Sequence, residues 1–137
     1  MKAIKFEGHN VVMGKDQPEY EDLPAYVQEN GIVTTCFRLD DSEIREIEKS
    51  RLLRISLMNM GRPCQPTAIT ANRPKFPIDF KSRWMVNPHS WGKTHATFNV
   101  PVTPGALMML QKEKKIWIST VTYGAAMQPI SGNLKHS

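Results

Sequence analysis

The chain says one 28-residue stretch twice, and that repetition limits its possible folds more than any other feature. Leu39 to Pro66 and Val102 to Pro129 align without a gap at a constant offset of 63, with six identical pairs: Lys49/Lys112, Ile55/Ile118, Ser56/Ser119, Gly61/Gly124, Gln65/Gln128 and Pro66/Pro129. The conservative pairs Leu39/Val102, Ile44/Leu107, Ile47/Leu110 and Leu53/Ile116 fall where one structural unit would place its buried side chains. A doubled sequence predicts a doubled architecture.

Each copy reads as strand, short helix, strand. In the first, Asp40 is a good N-cap and Glu43 completes a capping-box variant; in the second, Thr103 takes the cap and Pro104 the first helical position. Asp40, Asp41 and Glu43 sit at the positive end of the first helix and Lys49 and Arg51 at its negative end, where the repeat has Lys112, Lys114 and Lys115. Helices over about 41–50 and 104–113 follow, too short to hold without packing against a sheet. The β-branched and aromatic run Ile32 to Arg38 predicts the strand before the first helix. After the helices, Leu52 to Asn59 and Ile116 to Tyr123 alternate: Leu53, Ile55 and Leu57 (Ile116, Ile118, Thr120) face a core. Arg54, Ser56 and Met58 (Trp117, Ser119, Val121) make a mixed face, the one on which to look for a partner. About 13 residues between strands is close to the minimum for a parallel crossover. The expected class is α+β, with tandem duplicated strand-helix-strand units (βαβ-βαβ) that are either ferredoxin-like or closed into a barrel-like pseudo-twofold, plus an extended N-terminal arm and a long connector.

On this reading residues 1–137 form a single domain: 1–31 an N-terminal strand and acidic extended arm, 32–66 the first repeat, 67–94 a basic and aromatic connector, 95–130 the second repeat, 131–137 a loose polar tail. Lys2 to Phe6 and Asn10 to Met13 are strand candidates. Pro18 and Pro24 argue against a helix in Glu19 to Asn30, which is expected to pack as an arm through Tyr20, Leu23 and Tyr26. Three strand ends run into Gln-Pro turns at Gln17, Gln65 and Gln128, amides better suited to capping strand ends than to gathering a ligand.

Charge divides sharply along the chain. Residues 1–50 carry 11 acids and 6 bases, whereas residues 51–137 carry 2 acids and 12 bases. Such a dipolar chain suits an anionic polymer, or a copy of itself met head to tail. Within the connector, Arg73, Lys75, Lys81, Arg83 and Lys93 interleave with Phe76, Phe80, Trp84 and Trp91. Arg73, Lys75, Lys81, Arg83, Trp84 and Trp91 are therefore the candidate ligand- or partner-binding residues, an electrostatic track with stacking platforms. The competing and favoured reading has the aromatics plugging pockets on their own domain or on a neighbouring subunit, since exposed aromatic surface is costly.

Nothing in the sequence points to catalysis. His9, His89, His95 and His136 have no metal-ligand spacing, Cys36 and Cys64 read as small packed side chains, and the glycines build no phosphate loop. No enzyme, no metal and no cofactor are expected. The start MKAIKFEGHN lacks the apolar core of a signal peptide, and no stretch approaches ~20 apolar residues, so a cytosolic protein with no membrane partner is the plain expectation.

Three motifs add a resemblance. Gln17-Pro18-Glu19-Tyr20-Glu21-Asp22-Leu23-Pro24, Val33-Thr34-Thr35-Cys36-Phe37-Arg38-Leu39 and Gly61-Arg62-Pro63-Cys64-Gln65-Pro66 are similar to the pattern of an uncharacterised family of small proteins encoded by bacteriophages and prophages. The resemblance covers about residues 10–66 and departs at Phe37, where the family has tryptophan, and at Met60. It implies a phage origin, the host cytoplasm or the virion as location, and no particular chemistry. The expectation is a non-enzymatic accessory protein that works by protein–protein contact, with itself as a homo-oligomer or with another phage or host protein. The alternative is a nucleic-acid or nucleotide binder that uses the connector.

Overall fold

In the computed structural model, residues 1–15, 18, 21–58, 66–79, 85–91, 95–121 and 135–136 are described. They form an α+β fold of antiparallel strand pairs and two helices. The strands are β1 (Lys2–Ala3), β2 (Val11–Met13), β3 (Leu23–Val27), β4 (Ile32–Arg38), β5 (Leu52–Met58), β6 (Thr67–Thr70), β7 (Ser90–Trp91), β8 (His95–Pro101), β9 (Lys115–Val121) and β10 (Lys135–His136); the helices are α1 (Asp41–Ser50) and α2 (Pro104–Glu113).

The helices form where their caps say they should. Asp40 accepts the Glu43 N–H at 2.8 Å while Glu43 Oε1 accepts the Asp40 N–H at 2.9 Å, closing the capping box. Thr103 Oγ1 accepts the Ala106 N–H at 3.1 Å, with Pro104 in the first turn. Both helices end on a left-handed residue that is not glycine, Arg51 at φ 57° and Lys114 at φ 55°. Each of these residues also reaches across the molecule: Leu39 N–H donates to the Lys114 carbonyl at 2.8 Å and Val102 N–H to the Arg51 carbonyl at 2.9 Å.

The strands join in a way the linker length did not suggest. β4 and β5, expected as parallel partners around α1, lie in different sheets, and so do β8 and β9 around α2. Instead β4 pairs antiparallel with β9 and β5 with β8, all seven residues in register each time. A thirteen-residue link is as able to carry the chain from one sheet to another as back into the same one, so the parallel crossover of a ferredoxin-like unit is not formed. The first sheet runs β2-β3-β4-β9-β6 with β1 also on β4; the second runs β10-β5-β8-β7.

One core lies between the two sheets and the helices. Phe37, Ile116 and Ile118 from the first sheet meet Leu53, Ile55 and Phe98 from the second, and Ile44, Ile47, Leu107 and Leu110 close it from the helices. The alternation expected for β5 holds, with Leu53, Ile55 and Leu57 buried and Arg54 exposed, whereas β9 is buried on both faces, Trp117 and Ser119 as well as Ile116, Ile118 and Thr120.

The limbs also differ from expectation. Residues 21–27 are no arm: β3 is an inner strand between β2 and β4, and Leu23 is buried. Pro24 is accommodated because it pairs with Val12 of β2 but lies one residue beyond the β4 pairing, which starts at Ala25. The opening strand is shorter than Lys2 to Phe6, and the long connector holds β6, β7 and an isolated bridge from Ala68 to Met85. Lys135 and His136 of the tail pair with Ser56 and Ile55. Tyr20, Cys64, Gln17, Gln65 and Gln128 of the Gln-Pro turns, and the Gly61 and Gly124 positions lie outside the described residues.

A candidate charged contact face

The face of the first sheet turned away from the core is built by alternation on β4 and β9. Cys36 and Trp117 are cross-strand partners on it, opposite in sense to Phe37 and Ile116. Phe6, Ile4, Tyr26 and Phe76 cover them. The rings interlock: Phe6 to Trp117 at 5.2 Å and 77°, Tyr26 to Phe76 at 4.5 Å, Phe76 to Trp117 at 6.4 Å and 67° between centroids and planes. Gln28 pins the connector down, its Nε2 donating to the Ile78 carbonyl at 3.2 Å while its Oε1 accepts the Ile78 N–H at 2.6 Å. Here the connector's aromatic residue fills a surface of its own domain.

Arg73 tops this cluster. Its Cζ lies 4.8 Å from the centre of the Phe76 ring and 5.2 Å from that of Trp117, and Nη2 donates to the Glu7 carbonyl. Cys36, fully buried beneath, has its thiol pushed up to about 11 by burial, against the opposing pull of Lys115, Arg73 and Arg38. It stays a protonated thiol at neutral pH, poorly suited to nucleophilic chemistry.

Below the aromatic cluster the same face ends in a row of cations. Lys2 pairs with Arg38, and Arg38 pairs with Lys115, so three bases stand abreast across β1, β4 and β9. Like charges directly opposite on neighbouring strands repel and cost stability. Two ion pairs lie elsewhere, Lys114 Nζ to Asp41 Oδ1 at 2.7 Å and the Met1 nitrogen to Glu43 Oε1 at 2.9 Å.

Of the residues singled out from sequence, Arg73 belongs to this face and Lys75 is exposed near it. Trp91 lies in β7, paired with Ala96 in the other sheet. Lys81, Arg83 and Trp84 lie outside the described residues. Lys2, Arg38 and Lys115 were missed, because only the pairing of distant strands sets them side by side. The charge division along the chain pointed away from two of them, since Lys2 and Arg38 lie in its acidic half.

Among the described residues the corresponding face of the second sheet is polar. Its Arg54 and Asn99 are partners where the first sheet has Trp117 and Cys36, and Arg54 is exposed. A hydroxyl pair occurs on both, Thr34 Oγ1 to Ser119 Oγ at 2.9 Å and buried, Ser56 Oγ to Thr97 Oγ1 at 3.2 Å and half-buried. Among the described residues no three His, Cys, Asp or Glu side chains gather as metal ligands, and no helix is long and apolar enough to cross a membrane. Comparison with family models, with curated proteins and with solved structures returned no match.

Proposed function

We infer that this chain works by binding rather than catalysis, as a phage accessory protein that contacts an acidic protein surface through the row Lys2, Arg38 and Lys115. The row carries the inference: three like charges held abreast by strand register are a standing electrostatic cost, and such a cost is offset when an acidic partner covers it. The phage origin rests on the sequence resemblance alone.

The partner that the chain itself offers is a second copy. α1 exposes Asp41, Glu46 and Glu48, and residues 1–50 carry nearly all the acids. A contact between α1 of one copy and the basic row of the next is heterologous, so it closes into a ring or continues as a filament, as a virion assembly component requires. The test is light scattering at low salt. Self-association lost in Lys115→Glu supports the reading; a monomer at all salt concentrations removes it.

A second reading keeps the same row and changes the partner to nucleic acid. Arg73 beside the row supports it, but the rings of Phe76 and Trp117 are already packed against Phe6, Tyr26 and each other, which leaves little free face for base stacking. Oligonucleotide affinity falling steeply on a log–log plot against salt favours this reading, and no binding at low salt excludes it.

The architecture is read as one unit doubled within the chain. At the offset of 63 the bounds of β4 and β8, α1 and α2, and β5 and β9 coincide residue for residue. Caps, left-handed ends and cross-molecule hydrogen bonds recur at the same offset. Each unit's first strand pairs with the other's last, the barrel-like pseudo-twofold arrangement.

A further inference from the structure

The 63-residue equivalence sets side by side two places that the chain treats differently. Beside β4, β1 adds Lys2 opposite Arg38 and Ala3 opposite Phe37, and the Ile4 N–H continues the ladder to the Cys36 carbonyl at 3.0 Å. Met1 packs against the core there, its nitrogen 2.9 Å from Glu43 Oε1. The equivalent positions beside β8 are Pro101, Val100 and Asn99, and Ala106 stands where Glu43 does. β7 pairs with β8 only at Thr97 and Ala96, so among the described residues the end of β8 has no strand on that side. A cleft of about 440 Å³ opens at this end, lined by Leu53, Ile69, Val100, Val102, Ala106 and Leu110. A side chain at Gly105, on the same cleft, would meet nothing within 4 Å.

We propose that this cleft takes an extended segment of a partner protein, added as a strand along the end of β8, with a large unbranched apolar side chain inserted as Met1 is in the first half. Added strands bind through the main chain and gain specificity from alternate side-chain pockets. The residue three positions further along corresponds to Ile4, which packs on the Cys36 and Trp117 cluster. Its counterpart here sits over Asn99 and the exposed Arg54, so an acidic side chain suits that position. Ala106 offers no carboxylate, and the segment is therefore an internal one rather than a free amino terminus. This inference rests on the doubled-unit reading and concerns a surface separate from the basic row.

The probe is acetyl-Met-Lys-Ala-Glu-Lys-Phe-amide, titrated into the full chain and followed by amide NMR. Saturable shifts are expected at Val100, Val102, Gly105 and Ala106, weakened about tenfold or more when the peptide carries serine in place of methionine. Gly105→Trp abolishes them by filling the cleft, and Ala106→Glu moves the preference to the same peptide with a free amino group. Shifts elsewhere, none by roughly 10 mM peptide, or equal binding of the serine peptide overturns the proposal. If Gly105→Trp does not fold, the serine peptide decides alone. Self-association that still depends on Lys115 while the peptide fails to bind sinks the cleft and leaves the basic row standing.

Discussion

Thr120 is a polar residue at a position that the sequence and the structure both assign to the core. It occupies a core position on β9 where the first copy has Leu57, and its buried hydroxyl has no hydrogen-bond partner among the described residues. Replacing an unpaired buried hydroxyl by a methyl of the same shape removes a desolvation cost. Thr120→Val is expected to raise stability by about 1 kcal/mol, measured as a higher urea midpoint with an unchanged slope. Asp40 behaves in the opposite sense. The Glu43 N–H and the Ser42 hydroxyl hold its carboxyl below the ordinary value of 3.8. A carboxylate depressed in the folded state lends stability above its unfolded value and gives it up as pH falls through the lower folded one. Asp40→Ala is therefore expected to lower the thermal midpoint at neutral pH, with the difference closing below about pH 3.8.

At the scale of elements, the helices were legible and the sheets were not. Cap residues and β-branched runs act over three or four residues, so they place α1, α2 and β4 to the residue. Pairing depends on which distant strands meet, residues 52–58 with 95–101 and 32–38 with 115–121, and no local signal carries that. For the same reason β6 and β7 were hidden in the connector, and the candidate site was legible only at Arg73 and Lys75. The repeated helix ends yield a prediction of their own. Arg51 and Lys114 hold a left-handed conformation that favours glycine. Arg51→Gly and Lys114→Gly are each expected to stabilise by roughly 1 kcal/mol, and thermal unfolding of the two variants checks it. A loss at either position would mean that its side chain contributes more than the backbone strain costs.

For the whole molecule, the two sheets resemble one another in frame and differ in what lies on them. The first is covered by residues 4–9 and 73–78 and ends in the cation row; the second presents Arg54, Asn99, Ser56 and Thr97. Unlike faces leave each sheet free to make a different contact, and the basic row draws Lys2 and Arg38 from the otherwise acidic first 50 residues. Lys115 shows how stability and binding separate. Lys115→Glu turns a repulsive neighbour of Arg38 into an attractive one, so the folded chain should gain roughly 0.2–1 kcal/mol while its contact with acidic surfaces is lost.

Contact through the basic row is tested most directly by light scattering of wild type, Lys115→Glu and Glu48→Lys at about 0.05 M and about 1 M salt, where screening lengths differ several-fold. Wild type is expected to assemble at low salt and dissociate at high salt, each variant alone to be a monomer, and assembly to return when the two variants are mixed. Wild type that stays monomeric at low salt, or Lys115→Glu that assembles as well as wild type, would contradict it.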